Sequence, residues 1–371
     1  LNFPAEKVTD HISAYIRKDW AAAVGYELNS GDVLTLDQIY DLAAKLKEAD
    51  PGNVGESFYP IISRTGYATW LIQYNNAHCG VGSNTSAYYL GEDGQYHWGG
   101  ADESTLEALK KMKEAYDTGL LHPEFYTLQD PDDVAHFYSV GDAAITITEG
   151  MAYKMDEFAA SMKKDLGLDF NEAVAVVAVA GFDDLVHASP QPNYWGANIF
   201  NPDIDDVKLD RILSMMDYSA TPEGQERIHY GIEGVDYVKN EDGTCTSLLG
   251  PDDSLWDKYA MLPIYVNMIV LSDDFQFENP AYSETARTIT KRLHEVRAEH
   301  STEESFPSKV DWTPILHSSQ ALNLATMTYT DEYAMLITQS GDITENWTKW
   351  VNEKMSLIQP VLDELNAQIG K

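Results

Sequence analysis

Cysteine is scarce. Cys79 and Cys245 are the only two in 371 residues. No Cys-x-x-Cys is present and no Cys/His group has the spacing of a zinc site, so a metal-stapled fold is excluded. Two cysteines leave a disulfide in an oxidising compartment and a pair of separate thiols equally open. Long apolar runs are also missing. The longest, Ala173 to Phe182, has ten residues, against about 20 for a membrane-spanning helix. Cationic residues are few: 25 Lys and Arg face 60 Asp and Glu, a formal charge of −35. Phosphate backbones and anionic bilayers attract cationic surface, so nucleic acid and direct adsorption to a membrane are both disfavoured. No basic N-terminus leads into an apolar stretch, so no signal peptide is visible. The chain opens at Leu1-Asn2-Phe3 without Met, which reads as a mature or truncated product.

Catalytic motifs are missing as well. There is no Gly-x-Gly-x-x-Gly, no phosphate loop ending Gly-Lys-Ser/Thr, no His-Glu-x-x-His and no Gly-x-Ser-x-Gly. No cofactor is implied. A hydrolase working through two carboxylates stays open as an alternative, because so many acids contain every spacing. Asp50-Pro51-Gly52-Asn53-Val54-Gly55-Glu56 offers oxygen ligands and turn glycines. It lacks the alternating carboxylates of a calcium loop, so it reads as a helix stop. Asp203, Asp205 and Asp206 precede a predicted helix, where capping and the helix dipole account for them. No metal site is expected.

What the chain does have is a core and a rhythm. Apolar residues make up 44% and aromatics 11%, including 22 Tyr and 8 Trp, too many for a disordered chain. Residues 12–16 read as a strand and Arg17 to Trp20 as a turn. Thr35 with Gln38 forms a capping box, and the helix it opens carries Leu36, Ile39, Leu42, Ala43 and Leu46 on one face. A second box, Ser104 with Glu107, opens another helix. Between Cys79 and Gly100 the chain predicts a hairpin around Glu92-Asp93-Gly94. Residues 143–148 predict a strand of alternating β-branched residues. Residues 173–180 predict a strand buried on both faces, as in a parallel sheet. Helices are predicted at 206–218, from Thr221-Pro222 to Gly231, at 283–300, at 331–339 and at 345–369, the last interrupted near Pro360. Alternating helices and strands followed by helices indicate an α/β fold with a mostly parallel sheet and a helical C-terminus.

Aromatic residues recur beside polar ones in the predicted loops: Tyr67 and Trp70, Glu149 with Tyr153, Asn193 with Tyr194 and Trp195, and Trp312. Sugars need this pairing. The C–H face of a pyranose stacks on a ring, and its hydroxyls need donors and acceptors, since an unpaired buried polar group costs about 1–3 kcal/mol. Crevices at the carboxyl ends of strands are where open α/β sheets bind ligands, and Glu149 to Tyr153 follow such an end. These eight residues are the candidate ligand-binding set.

Six segments, in order along the chain, resemble one family. They are Ala14 to Trp20, Thr35 to Ile39, Gly119-Leu120-Leu121-His122-Pro123-Glu124, Phe137 to Ile147, Thr221-Pro222-Glu223-Gly224-Gln225 with Tyr230-Gly231-Ile232-Glu233-Gly234, and Ile337 to Gly341 before Trp347 to Val351. Together they resemble the sugar-type extracellular solute-binding proteins of bacterial ABC importers, in the long lipoprotein subgroup of Gram-positive bacteria. The resemblance implies a two-lobe α/β fold with the first lobe incomplete in this chain. Residues 1–16 would be a hinge-crossing strand, 17–187 the second lobe, 188–285 the return to the first, and 286–371 C-terminal helices. It places Tyr67 where the family offers an aromatic to sugar, Tyr153 in the family's aromatic segment, Trp20 near the first crossing and the Tyr194-Trp195 pair at the return crossing, where hinge and cleft meet, with Met151 close to where the family has Trp. It implies a carbohydrate ligand, membrane permeases as partners, ATP hydrolysis on other subunits and no catalysis. It further implies a monomer on the outer face of the cytoplasmic membrane, held by a lipid anchor not in this chain. The charge of −35 favours a neutral oligosaccharide over uronates, although Arg64 beside Tyr67 is a local cation. A carrier of peptides or other small solutes is the alternative.

Overall fold

The computed structural model describes residues 12–128, 134, 136–187, 199–241, 245–250, 255–259, 282–302 and 310–369. Contacts divide the chain into two units. Unit 1 comprises Leu1–Val8, Met151–Asp156 and Gln191–Lys291, and unit 2 comprises Thr9–Gly150, Glu157–Pro190 and Arg292–Lys371.

Unit 2 is built on a four-stranded sheet. Its strands are β1 (Ile12–Arg17), β2 (Val33–Thr35), β5 (Ile145–Glu149) and β6 (Val174–Ala180), in the order β2-β6-β1-β5. The prediction of a mostly parallel sheet needs correction. Only β2 and β6 run parallel, while β1 is antiparallel to both β5 and β6. Burial on both faces is real, since all seven residues of β6 are buried. It comes from cover on both sides of a mixed sheet, and a run of Val and Ala cannot distinguish the two cases. The register pairs Ile12 with Glu149, Ser13 with Thr148, Ala14 with Ile147 and Tyr15 with Thr146. Directly paired residues share a face. One face is therefore Ile12, Ala14, Ile16, Ile145 and Ile147, which join the main core. The other carries Ser13, Tyr15, Thr146 and Thr148, all buried.

The helices of unit 2 follow their caps. Helix α1 (Lys18–Ala23) replaces the turn predicted at Arg17 to Trp20. Arg17 makes two bonds to the Asp19 carboxylate, 2.8 and 2.6 Å, and its guanidinium lies 4.2 Å from the Trp20 ring. Trp20 is itself buried, edge-on to Phe58, so it fills the core and offers no face to a ligand. Helix α2 (Leu36–Ala49) has the predicted capping box, Thr35 with Gln38. It ends at Asp50, whose backbone is left-handed and whose carboxylate accepts the N–H groups of Val54 and Gly55. The Asp50 loop is thus a closed helix stop, as read from the sequence. The short helices α3 (Thr65–Ala68) and α4 (Trp70–Gln73) precede the hairpin β3 (Tyr88–Leu90) and β4 (Tyr96–Trp98). Helix α5 (Glu103–Asp117) has its N-cap at Asp102, two residues before the predicted Ser104 cap, with no side-chain cap bond. Asn75 and Asn76 bond to the opening of α5, and Asp102 accepts from Asn76 and Tyr89. Tertiary bonds have displaced the local box.

Helix α6 (Ala152–Asp165) begins in unit 1 and continues into unit 2, and α7 (Phe170–Ala173) leads into β6. Unit 1 contains α8 (Asp206–Ser219), α9 (Pro222–Tyr230), the hairpin β7 (Tyr237–Lys239) and β8 (Cys245–Ser247), and α10 (Leu255–Lys258). Thr221 caps α9, with Pro222 at its first turn, as predicted. Helix α11 (Glu284–Glu299) begins in unit 1 and ends in unit 2. Helices α12 (Thr313–Leu316), α13 (Gln320–Thr326), α14 (Tyr329–Thr338) and α15 (Ile343–Asn366) complete unit 2. Helix α15 is continuous through Pro360, contrary to prediction. Ile358, Val361, Leu362 and Leu365 are buried around that proline, and their packing offsets its cost of about 3 kcal/mol.

Candidate functional site

Glu149, one of the sequence-predicted residues, ends β5. Residues 61–63 run parallel to β5. Ile61 bridges Ile145, the Ile62 N–H donates to the Ile145 carbonyl at 3.0 Å, and the buried Ser63 hydroxyl donates to the Ile147 carbonyl at 2.6 Å. The parallel direction brings Arg64 and the opening of α3, with Tyr67, to the level of Glu149. Thr69 closes α3 by donating its hydroxyl to the Gly66 carbonyl. The placement of Tyr67 on α3 is described, and its side chain lies outside the described residues.

Glu149 is half-buried at the end of its strand, opposite Ile12 in the register. Its carbonyl accepts the Tyr15 hydroxyl at 2.7 Å. Burial raises the Tyr15 phenol well above its ordinary range, and the negative charges of Glu149 and Glu157 add to this against the opposing charge of Arg297. Tyr15 therefore serves as a neutral donor. Trp70 is half-buried on α4 and packs on the core of unit 2. Trp312 is also half-buried. It leads into α12 and meets the buried Tyr88 edge-on at 5.5 Å, so it stands against β3 rather than β5. Tyr153 belongs to unit 1, on the first turn of α6, half-buried, with the Lys154 ammonium 5.5 Å from its ring. Asn193, Tyr194 and Trp195 lie outside the described residues.

Sequence reasoning passed over Ser13, Tyr15, Ser63 and Arg297, all of them buried polar groups at this end of the sheet. Arg297, on α11, donates to the Ile12 carbonyl at 2.7 Å and to the Ser13 hydroxyl. The signal was available in the period of two that puts Ser13 and Tyr15, like Thr146 and Thr148, on one face. Among the described residues no group of three His, Cys, Asp or Glu could hold a metal ion. Cys79 and Cys245 are both free thiols, the first buried and raised by that burial to about 12.

No protein-family model and no curated protein sequence matches the chain. Solved structures do match it in fold. The Streptococcus pneumoniae ABC-transporter substrate-binding protein FusA, in complex with kestose, superposes over 97% of this chain and 72% of its own at TM-score 0.63 and 15% identity. A Bifidobacterium longum infantis solute-binding protein associated with an ABC transporter and described as binding HMO covers 97% and 73%, at TM-score 0.63 and 13% identity. The alginate-binding protein AlgQ2 covers 98% and 74%, at TM-score 0.63 and 15% identity. The chain has the fold of these solute-binding proteins, which is the α/β two-lobe class read from the sequence. Among the described residues no helix is long and apolar enough to cross a membrane.

Proposed function

We propose that this chain captures a carbohydrate, a neutral oligosaccharide by charge, and delivers it to the permease of an ABC importer. The likeness in fold to sugar-binding proteins over 97–98% of the chain carries the reading. Fold alone does not assign function. Support from this chain's own residues comes from the half-buried Trp70, Tyr153 and Trp312 and from the polar end of β5 with Glu149. The protein catalyses nothing. It works as a monomer outside the cytoplasm, held to the membrane by lipid, and other subunits hydrolyse ATP. Asn193, Tyr194 and Trp195 complete the binding set, together with Tyr67. The formal charge of −35 repels anionic sugars, with screening beyond about 8 Å at physiological salt.

Calorimetry and thermal shift against fructo-oligosaccharides, milk oligosaccharides, N-glycans and alginate oligosaccharides test this. A neutral glycan present at 100 times its dissociation constant stabilises the protein by about 2.7 kcal/mol. Binding should weaken by tenfold or more, on the order of 1.4 kcal/mol, when Trp70 or Trp195 is replaced by Ala. Heat and stabilisation from none of these sugars overturns the reading, and binding confined to the alginate fragments overturns its neutral-sugar part.

A further inference from the structure

In a chain with 60 acidic residues, Trp312 to Thr330 contains no Asp, Glu, Lys or Arg. Residues 65–91 share that property, and burial accounts for much of it there, since residues 71–77 are all buried. The later stretch is different. Thr313, Pro314, Leu316, His317, Ser319 and Leu322, on and between α12 and α13, are all exposed. Leu316 is 58% exposed and Leu322 73%. In the same unit, α15 shows solvent the charges of Lys349 and Glu353. An uncharged exposed face is therefore a local feature of α12 and α13 in an anionic protein.

Trp312 stands at the head of this stretch, half-buried, with its ring edge-on to the buried Tyr88. The indole N–H of Trp98 donates to the Tyr329 hydroxyl at 2.7 Å, that of Trp347 to the Gly100 carbonyl at 3.0 Å, and that of Trp350 to the Glu332 carboxylate. The indole N–H of Trp312 has no such acceptor among the described residues. Helix α13 is tied to its neighbours. The Asn84 amide donates to the carbonyls of Leu324 and Met327, at 2.8 Å each, and the Asn323 amide donates to the Leu357 carbonyl at 3.2 Å. A face held in this way loses little freedom when a ligand arrives.

We propose that Trp312 and the exposed residues of α12 and α13 form a contact for an uncharged sugar unit, separate from the polar end of β5. The proposal rests on the carbohydrate reading and gives its neutral preference a local cause. The indole face stacks on the C–H face of the sugar, and the indole N–H donates to a hydroxyl. Thr313, His317 and Ser319 offer further donors and acceptors. The stretch has no Lys or Arg to hold a uronate. A second copy of the chain fits this face less well. It would bring a further net charge of −35. Leu316 and Leu322 are separated by His317, Ser318, Ser319 and Gln320, without the apolar centre of a protein interface.

Calorimetry and proton–nitrogen correlation NMR on the full chain test it, with fructo-oligosaccharides, neutral milk oligosaccharides and N-glycans as probes. Trp312→Phe identifies the Trp312 indole signal by its loss. In the wild type that signal shifts as a neutral sugar saturates the protein. Trp312→Ala weakens binding of the same sugar by about tenfold. Trp312→Phe keeps a ring and loses the donor, and weakens it by about threefold. An unmoved Trp312 signal, or wild-type affinity in both variants, overturns the proposal and leaves the carbohydrate reading standing. Absence of binding by every neutral sugar to the wild type overturns both. A wild-type dimer in sedimentation, dissociated by Leu316→Ser with Leu322→Ser, makes the face an interface between copies and overturns the proposal too. Should Trp312→Ala fail to fold, the indole signal and Trp312→Phe decide.

Discussion

Helices α2 and α8 are the same length, 14 residues, and both are well capped, by Thr35 and by Asp205. Helix α2, in unit 2, buries six residues: Leu36, Ile39, Tyr40, Leu42, Ala43 and Leu46. Helix α8, in unit 1, buries two, Met216 and Ser219, and leaves Val207 73% exposed. The difference extends beyond the two helices. Unit 2 owns the whole of the main hydrophobic cluster, whereas the described part of unit 1 leaves Val235 and Leu248 half in water. Caps and periodicity start a helix and orient it. They do not determine how much of its apolar face is covered, and that cover is where most of the stability resides.

The contrast is broken most directly at Trp350, in α15. Its ring is buried against Trp98 at 5.2 Å and Tyr333 at 5.5 Å, and its indole N–H donates to the Glu332 carboxylate, which also accepts from Lys354 at 2.6 Å. Trp350→Ala removes the ring and leaves a cavity, at a cost of about 3–5 kcal/mol. Urea unfolding followed by circular dichroism should show that loss in the transition of unit 2. A transition at the wild-type midpoint would mean that unit 2 does not depend on this cluster.

The converse test is in unit 1, whose described residues hold a buried polar centre. Asp236 is 1% exposed and accepts the Ile232 N–H at 2.7 Å, the Tyr259 hydroxyl at 2.8 Å and the Lys258 ammonium. Gly231 turns there at φ 84°, where a Cβ would come within 2.3 Å of the Asp236 carboxylate. Asp236→Asn keeps the shape and loses the charge. Lys258 is 40% exposed, so solvent screens the ion pair. The expected cost is about 2 kcal/mol, confined to unit 1 and read by exchange of the amides at residues 231–237. Equal loss in the amides of β6 would show that the two units unfold as one.

Much of unit 2 was legible because its signals are local. The Thr35 box, the Glu92-Asp93-Gly94 turn between β3 and β4, and the apolar run of β6 each name an element within a few residues. Strand direction was not legible, since Val174 to Ala180 is buried on both faces whether its neighbours are parallel or antiparallel. Ser104 satisfies the rule for a cap, and only the contacts of Asn75 and Asn76, about thirty residues away in sequence, move the start of α5 to Glu103. Aromatic residues beside polar ones selected Trp70, Glu149 and Trp312, which are half-buried, but the pattern does not say which element each will pack on, and Trp312 stands against Tyr88 of β3. Arg297 carries no local mark, because its partners Ile12 and Ser13 lie at the opposite end of the chain.

Acid should weaken unit 2 at a higher pH than unit 1. His78 in unit 2 is stacked on Tyr89, with ring centroids 4.1 Å apart, and its Nδ1 lies 3.3 Å from the Ser86 carbonyl. Burial, with the nearby His187, pushes its pKa down to about 4, against the opposing effect of the Ser86 bond. The unfolded chain has an ordinary histidine near 6.5 and binds the proton first. Stability is therefore intact above pH 6.5 and falls as the pH drops toward 4, by about 1 kcal/mol between pH 6 and pH 5. His122, also lowered by burial and then by His136, works in the same direction. Asp102, raised by burial, works in the opposite direction as the pH falls through its raised value. In unit 1, bonds from Lys239 and Tyr237 hold Glu226 low, and Lys258, Ile232 and Tyr259 hold Asp236 low against its burial. Their contribution is present above the ordinary carboxylate values, 4.5 for Glu226 and 3.8 for Asp236, and is lost as the pH falls below these toward the lowered ones. His78→Gln should remove about 1 kcal/mol of the fall in unit 2 between pH 6 and pH 5, measured as the change in unfolding free energy. An unchanged slope would show that the stacked imidazole titrates like one in water.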